Sequence, residues 1–508
     1  MNYLLILPFI MALATTGMIY SLRSTAINRL APTLTSITIF LTGILLITYS
    51  APYRVFLGGS LRVDPISAWM LVTVGAVGFT TTGAGLNSKV SRQYGALLTI
   101  FIFAMSLAVE ADNIGVMWFA IEATTVATAF LVSQSGTSKS AEAAWKYVVI
   151  ASSGIAIALL GVVLIFGSSG GTTLSWIGLV GDPQLNKGLL KLGIALTVLG
   201  FATKVGLFPM HSWLPDAHSQ SPAAVSALMS GVLLSVALYA IIRMRLLSEL
   251  STANGEIKGI LITMGLISVA LASLMMVRQR DIKRLLAYSS MEHMGVMALG
   301  VAIGRAAIPA VLIYILAHGL LKASLFVVVG RVVESSGSSD IDQIAKSGGI
   351  TGTNKYLIVV GLIGLLGLPP FGIFFAEISI AGSAFFNGLG LFISAAFIFT
   401  LVAFTSILRA VANLTLNYQR VGNHLSPPLS RDKIVEVERV NAPETYDERP
   451  DIKKVATMSS TNNRNSNGLL SNLIIVTSLI GASIFPLFSY GALKTVEIAV
   501  NTLTGGAS

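Results

Sequence analysis

The chain has 508 residues, of which 54% are hydrophobic and only 11% charged, and its mean hydropathy is +0.79. A soluble domain carries about 25% charged residues, so a soluble globular enzyme is excluded. Net charge is +10, which in an apolar chain points to cytoplasmic loops ahead of nucleic acid; the absence of cysteine removes disulfides, iron–sulfur ligation and thiolate metal sites, and leaves any redox chemistry to a partner.

Apolar runs of about 20 residues recur along the chain and predict an all-α, polytopic membrane protein. The stretch Met1–Tyr20 has no basic residue ahead of its apolar run and reads as a first span, not a cleaved signal. About fourteen spans are expected, near 3–22, 33–50, 66–86, 95–110, 113–133, 143–167, 187–209, 222–243, 257–277, 285–303, 306–330, 355–385, 388–413 and 469–490. An even number puts both ends on one side. Most loop Lys and Arg, including Arg23, Arg29, Lys89, Arg92, Arg278, Arg280, Lys283 and Arg284, fall inside if both termini lie outside the cell membrane. Tyr418–Asn467 is polar, with charges of both signs, and reads as a cytoplasmic linker.

Four spans carry an ionisable residue. Glu122 is the only charge in Asn113–Ser133, Lys204 lies deep in Leu189–Phe208 ahead of Pro209, Lys322 sits in Tyr314–Val329, and Glu377 is the only charge in its span. A charge at mid-bilayer costs about 2.5–3.5 kcal/mol on insertion scales, so each must face a partner or water. A glutamate in a span can serve as an interhelical hydrogen-bonding group, but serine or glutamine does that at lower cost. Lys204 is the expected partner of Glu122, because a buried lysine keeps its proton only beside an anion. His318 precedes Lys322 by four residues and shares its helix face. Glu292 and His293 are further relay candidates near the start of span 10. His211 and His218, with Pro215 between them, match no metal-ligand spacing, so no metal is expected there and they join the secondary relay candidates. Glu110 and Asp112, at the outer end of span 5, read as a solvated loop. Proline interrupts the helix after Lys204 and the one before Glu377, a pattern tolerated where backbone lines a cavity.

Five stretches fall in one order: IEATTVATAFLV with AAWKYVVI, GFATKVGLFPMHSWLPDAHSQSPAAVSALMSGVLL, QRDIKRLLAYSSMEHMG, HGLLKASLF and LGLPPFGIFFAE. In these the chain resembles the antiporter-like membrane subunits of respiratory complex I, Mrp-type cation/proton antiporters and energy-converting hydrogenases, with component F of hydrogenase-4 closest in look. The resemblance implies a fourteen-helix fold with two inverted five-helix repeats and broken helices 7 and 12. The corresponding division is 1–94 for helices 1–3, 95–246 for the first repeat, 257–413 for the second, 414–468 for a polar loop and 469–508 for helix 14 and the tail. It implies that Glu122 and Lys204 are the family's span-5 glutamate and span-7 lysine. Lys322 with His318 matches its central relay, and Glu377 its terminal proton-exchanging residue. Many complex I members carry a lysine in span 8 where this chain has Ser235, which binds water but holds no charge.

The implied function is proton translocation, with sodium linkage left open, in a redox-driven complex such as a complex I-like oxidoreductase or membrane-bound hydrogenase. Implied partners are other integral membrane subunits, further antiporter-like ones among them, peripheral redox subunits carrying Fe-S or NiFe centres, and lipid; no nucleic acid and no cofactor of its own are expected. A Mrp-type secondary antiporter without a redox partner is the alternative, and a scaffold whose polar axis does not conduct is a third. Neighbouring genes would separate the first two.

Overall fold

Prolines, small residues and caps divide the apolar sequence into helices. The computed structural model describes residues 2–48, 54–56, 60–85, 90–182, 184–249, 254–347, 350, 352–416 and 464–488. After a short turn of 3-10 helix come α1 (Leu7–Leu22), α2 (Thr25–Thr48), an antiparallel hairpin of β1 (Arg54–Phe56) and β2 (Leu61–Val63), α3 (Pro65–Ala84), α4 (Arg92–Glu110), α5 (Ile114–Ser133), α6 (Ser138–Ser168), α7 (Trp176–Gly181), α8 (Lys187–Val205) and α9 (Trp213–Gln220). Then follow α10 (Ala223–Leu228), α11 (Leu234–Ser248), α12 (Asn254–Val277), α13 (Ile282–Ile303), α14 (Ile308–Ser336), α15 (Ile341–Lys346), α16 (Gly352–Leu365), α17 (Gly372–Phe386), α18 (Gly390–Leu416) and α19 (Arg464–Phe488). A π turn, Met229–Leu233, joins α10 to α11 without a break, and the Leu234 N–H reaches the Met229 carbonyl.

Eleven of these segments are long and apolar enough to cross a membrane. With α13, the α16–α17 pair and α19 they make up the fourteen spans read from the sequence. The α10–α11 segment, α14 and α3 are the most enclosed, whereas α1 and α18 turn most of their surface outward. The linker expected over 414–468 is trimmed, because α18 runs through Leu416 and α19 begins at Arg464; its remainder, 417–463, and the tail 489–508 lie outside the described residues.

Both expected helix breaks are present. Ahead of Pro209, α8 ends in Gly206 at φ 79, a left-handed cap that glycine enters without a Cβ penalty. The following half-helix, α9, is pinned back by Trp213 Nε1 donating to the Thr203 carbonyl at 2.9 Å. In the second break α16 stops at Leu365, ahead of Pro369 and Pro370, and α17 resumes at Gly372.

Close helix approaches set the register of the interior. A Cβ on Gly161 of α6 would lie 2.5 Å from the Gly193 carbonyl of α8, and one on Gly200 would lie 2.5 Å from the Gly154 carbonyl. These two helices therefore touch backbone to backbone along a small-residue seam. Gly231 in the π turn and Gly319 of α14 meet likewise, since a Cβ on Gly319 would stand 2.7 Å from the Gly231 carbonyl oxygen.

One end of the bundle is tied by charges. Asp64 caps α3 by accepting from the Ser67 N–H at 2.9 Å. It also receives Arg243 of α11 on both oxygens, at 2.6 and 2.7 Å. Arg243 Nε donates to Tyr239 at 3.0 Å, and Tyr239 in turn donates to the Val109 carbonyl of α4 at 3.0 Å. Burial works to raise the Asp64 carboxyl, but Arg243 and Arg62 beside it bring it below its ordinary value. The solvated loop expected at Glu110 and Asp112 is corrected here: they are 0% and 3% exposed. Asp112 N–H donates to the Ser60 carbonyl at 3.1 Å, and Ile114 N–H to the Leu174 carbonyl at 3.0 Å, so backbone from two sides covers the turn. Arg62 stands 3.7 Å from Asp112.

Asp64→Ala strands the buried Arg243 and should cost about 3–5 kcal/mol, read as a fall in thermal unfolding temperature in detergent; the double variant Asp64→Ala/Arg243→Met should recover much of it. Gly319→Ala pushes a methyl into the Gly231 backbone and should cost about 1–3 kcal/mol in the same measurement.

Candidate functional site

The ionisable residues of the apolar spans fall into two groups with a buried stretch between them. In the first, Glu122 of α5 accepts from Thr125 Oγ1 at 2.9 Å, one turn along its helix, and from Ser152 Oγ of α6 at 3.0 Å. Lys204, 0% exposed, lies in the last turn of α8, where the helix carbonyls favour a cation. Its Nζ donates to Tyr147 Oη of α6 at 2.5 Å and stands 4.8 Å from the centre of that ring. The α6–α8 glycine seam brings the two side chains together. Glu122 acts on Lys204 as a nearby opposite charge, but no direct ion pair joins them among the described residues; Lys204 is received by the Tyr147 hydroxyl.

The second group is built on one stripe of α14. Tyr314, His318 and Lys322 recur every four residues and so share a face. Lys322, also 0% exposed, donates to the Leu286 carbonyl of α13 at 2.8 Å and to Ser289 Oγ. The His318 ring lies 5.2 Å from that of His293, centre to centre. His293 Nδ1 is 2.7 Å from Tyr314 Oη, and Tyr314 donates to Glu377 Oε1 at 2.6 Å. Glu292 stands 3.4 Å from His293 and accepts from Thr400 Oγ1 at 2.6 Å. Glu377 Oε2 leans over the helix break, 2.7 Å from where a Cβ on Gly367 would sit, so the break makes room for this carboxylate. Glu292 and His293, whose depth the sequence left open, are thus buried members of the group.

Between the groups lie His218 and Ser235. His218 stacks on Phe326, one turn beyond Lys322, at 5.5 Å, and neither ring nitrogen has a hydrogen-bond partner among the described residues. The same holds for the Ser235 hydroxyl, while Ser230 and Ser290 bond to each other at 2.6 Å. Trp213 stands between Tyr147, at 4.9 Å, and His218, at 6.5 Å. His211 is set apart: it sits in the first helix break against Phe208, and no hydrogen bond among the described residues joins it to either group.

Sequence reasoning missed Tyr147, Tyr314, Thr125, Ser152, Ser289 and Thr400. The signal for Tyr314 was present, since it continues the His318–Lys322 spacing by one more turn. A lone tyrosine or threonine in an apolar span gives no comparable signal. Both Glu122 and Glu377 are only half-buried, on helices whose neighbouring outward residues are apolar: Phe119 and Val126 beside the first, Phe375 and Ile378 beside the second.

Residues 111–404 match the transmembrane family of NADH:quinone oxidoreductases and Mrp antiporters. A hydrogenase-4 component F homolog of Methylacidiphilum infernorum is 36% identical over 351 residues, which cover 65% of this chain and 73% of that protein. In fold, the chain is similar to a chain of the membrane-bound sulfane sulfur reductase, an archaeal respiratory membrane complex, with a TM-score of 0.80, 20% identity, and 100% and 99% of the two chains covered. It is also similar to a chain of the Mrp complex from Dietzia, with a TM-score of 0.78, 18% identity, and 99% and 97% covered. The chain therefore belongs to the NADH:quinone oxidoreductase/Mrp antiporter family, as one of its antiporter-like, multi-pass membrane subunits.

Proposed function

We propose that this subunit translocates protons within a redox-driven membrane complex of the complex I or membrane-bound hydrogenase kind. The observation that carries the reading is the series of fully enclosed ionisable groups, Lys204, Lys322, His318 and His293, that ends on the two half-buried carboxylates Glu122 and Glu377. Ionisable groups in apolar helices are costly, and their gathering along one line is accounted for by proton transfer along it. Lys204 hands its proton inward to Lys322 and the histidine pair, and Glu377 exchanges it at the far end. Water bridges the stretch past His218 and Ser235, because buried imidazole and hydroxyl groups without protein partners call for water.

Glu122 and Glu377 on outward-facing helix surfaces favour neighbouring membrane subunits that cover them, since a carboxylate facing lipid is expensive. Further antiporter-like subunits are suited to both positions. With no cysteine in the chain, electrons run through peripheral subunits holding Fe-S or NiFe centres; the similarity to a hydrogenase-4 component supports this source of energy. The two five-helix units proposed are 95–246 and 257–413, each holding one of the breaks. The distribution of basic residues supports an orientation in the cell membrane with α1 starting outside.

Reconstitution of the complex into liposomes with a pH-sensitive dye inside tests the reading. Lys204→Ala and Glu122→Ala should abolish proton uptake driven by the redox reaction, with the subunit still co-purifying; normal pumping by both variants sinks it. Glu377→Gln, isosteric but without a transferable charge, should lower flux by about a hundredfold or more, measured in the same vesicles, and sodium-free buffer should leave wild-type flux intact.

A further inference from the structure

Each terminal carboxylate is approached through a buried phenol. Lys204 donates to Tyr147 at 2.5 Å, the Tyr147 hydroxyl neighbours those of Thr128 and Thr125, and Thr125 donates to Glu122 at 2.9 Å. At the other end Tyr314 lies between His293, at 2.7 Å, and Glu377, at 2.6 Å. Both tyrosines are fully buried.

The hydrogen count fixes the sense of these bonds. A phenol carries one hydrogen. While Glu377 is ionised it can only accept, so Tyr314 gives its hydrogen to Glu377 and takes one from His293 Nδ1. An ammonium has donors alone, so Tyr147 accepts from Lys204 and keeps its own hydrogen, with the Thr125 and Thr128 hydroxyls as neighbours on the Glu122 side. Thr125 has already given its hydrogen to Glu122 and can only accept from a further donor. Both chains thus point the same way, from nitrogen through phenol to carboxylate, although they are built on different helices.

We propose that Tyr147 and Tyr314 are the proton-conducting residues at the two ends of the line, each passing the proton between the terminal carboxylate and the first nitrogen inside it; this rests on the proton-translocating reading above. At the Glu377 end, the Nδ1–H bond of a protonated His293 breaks as an O–H bond forms on Tyr314. The original Tyr314 O–H bond breaks as one forms on Glu377 Oε1. His293 becomes neutral, Glu377 becomes a neutral acid and the phenol is unchanged. At the Glu122 end, Lys204 loses a proton to Tyr147, Tyr147 to Thr125, and Thr125 to Glu122 Oε2. No electrons move and no co-reactant is needed. Rotation of the hydroxyls restores the starting pattern, and the reverse sequence carries a proton the other way.

Tyr147 also packs its ring on Trp213 at 4.9 Å, so a purely anchoring role is the competing account. Phenylalanine keeps the ring and deletes the oxygen, whereas fluorinated tyrosine keeps the hydrogen bonds and changes only the acidity of the phenol. In the reconstituted complex, Tyr147→Phe and Tyr314→Phe should each lower proton flux by about a hundredfold. Mono-, di- and trifluorotyrosine at either position should shift the flux progressively with fluorine content. Flux insensitive to fluorination at both positions overturns the proposal even where the phenylalanine variants are slow or fail to assemble. Tyrosine variants that pump normally beside an inactive Lys204→Ala overturn it while leaving the proton-translocating reading in place; an active Lys204→Ala removes that reading itself.

Discussion

Two lysines held inside apolar helices without a carboxylate against either of them set the terms for the rest of the interior. Lys204 is met by a phenol and the carbonyl end of a broken helix, Lys322 by the Leu286 carbonyl and the Ser289 hydroxyl. Hydrogen bonds from a charged donor to neutral oxygens are worth about 1.5–3 kcal/mol each, enough to offset part of the cost of burial. Such partners do not trap the proton as a direct carboxylate pair would. The first helix break, the α6–α8 seam and the packing of α13 against α14 each serve this condition, because each delivers an oxygen to a buried ammonium.

The Asp64–Arg243 cluster works the opposite way. There a carboxylate grips a guanidinium at 2.6 and 2.7 Å, and arginine does not give up its proton. That pairing is permanent and joins α3 to α11, with Tyr239 carrying the connection to α4. The molecule therefore uses fixed, directly paired charges near one end of the bundle to hold helices in place. It reserves titratable groups, linked through hydroxyls, for the middle. Permanent pairs in the middle would raise rigidity and halt transfer together.

The sequence exposed what is costly and hid what is cheap. A charge in an apolar span violates composition, so Glu122, Lys204, Lys322 and Glu377 were legible, and prolines marked both helix breaks. The helical period linked His318 to Lys322. Hydroxyl residues are uncharged and common in membrane helices, so Tyr147, Thr125 and Thr400 break no compositional rule and left no trace. That Lys204 is met first by the Tyr147 hydroxyl, with Glu122 acting on it without direct contact, depends on the seam between α6 and α8, which no local pattern records. Glu110 and Asp112 looked solvated because a short polar turn usually is. Their burial depends on backbone more than 40 residues away on one side, at Ser60, and about 60 on the other, at Leu174, and no local pattern records such a cover.

The π turn at Met229–Leu233 reaches further than its length suggests. Its i→i+5 bond brings residues five apart into line, so Ser230 and Ser235 can both look toward the centre. Winding the same segment as a regular helix would advance everything beyond it by about 100 degrees. Tyr239 and Arg243, which follow Ser235 at intervals of four, would then swing away from Val109 and Asp64. One surplus residue in a single helix thus sets the angular phase that lets its inner half meet the hydroxyl cluster while its outer half locks the bundle shut.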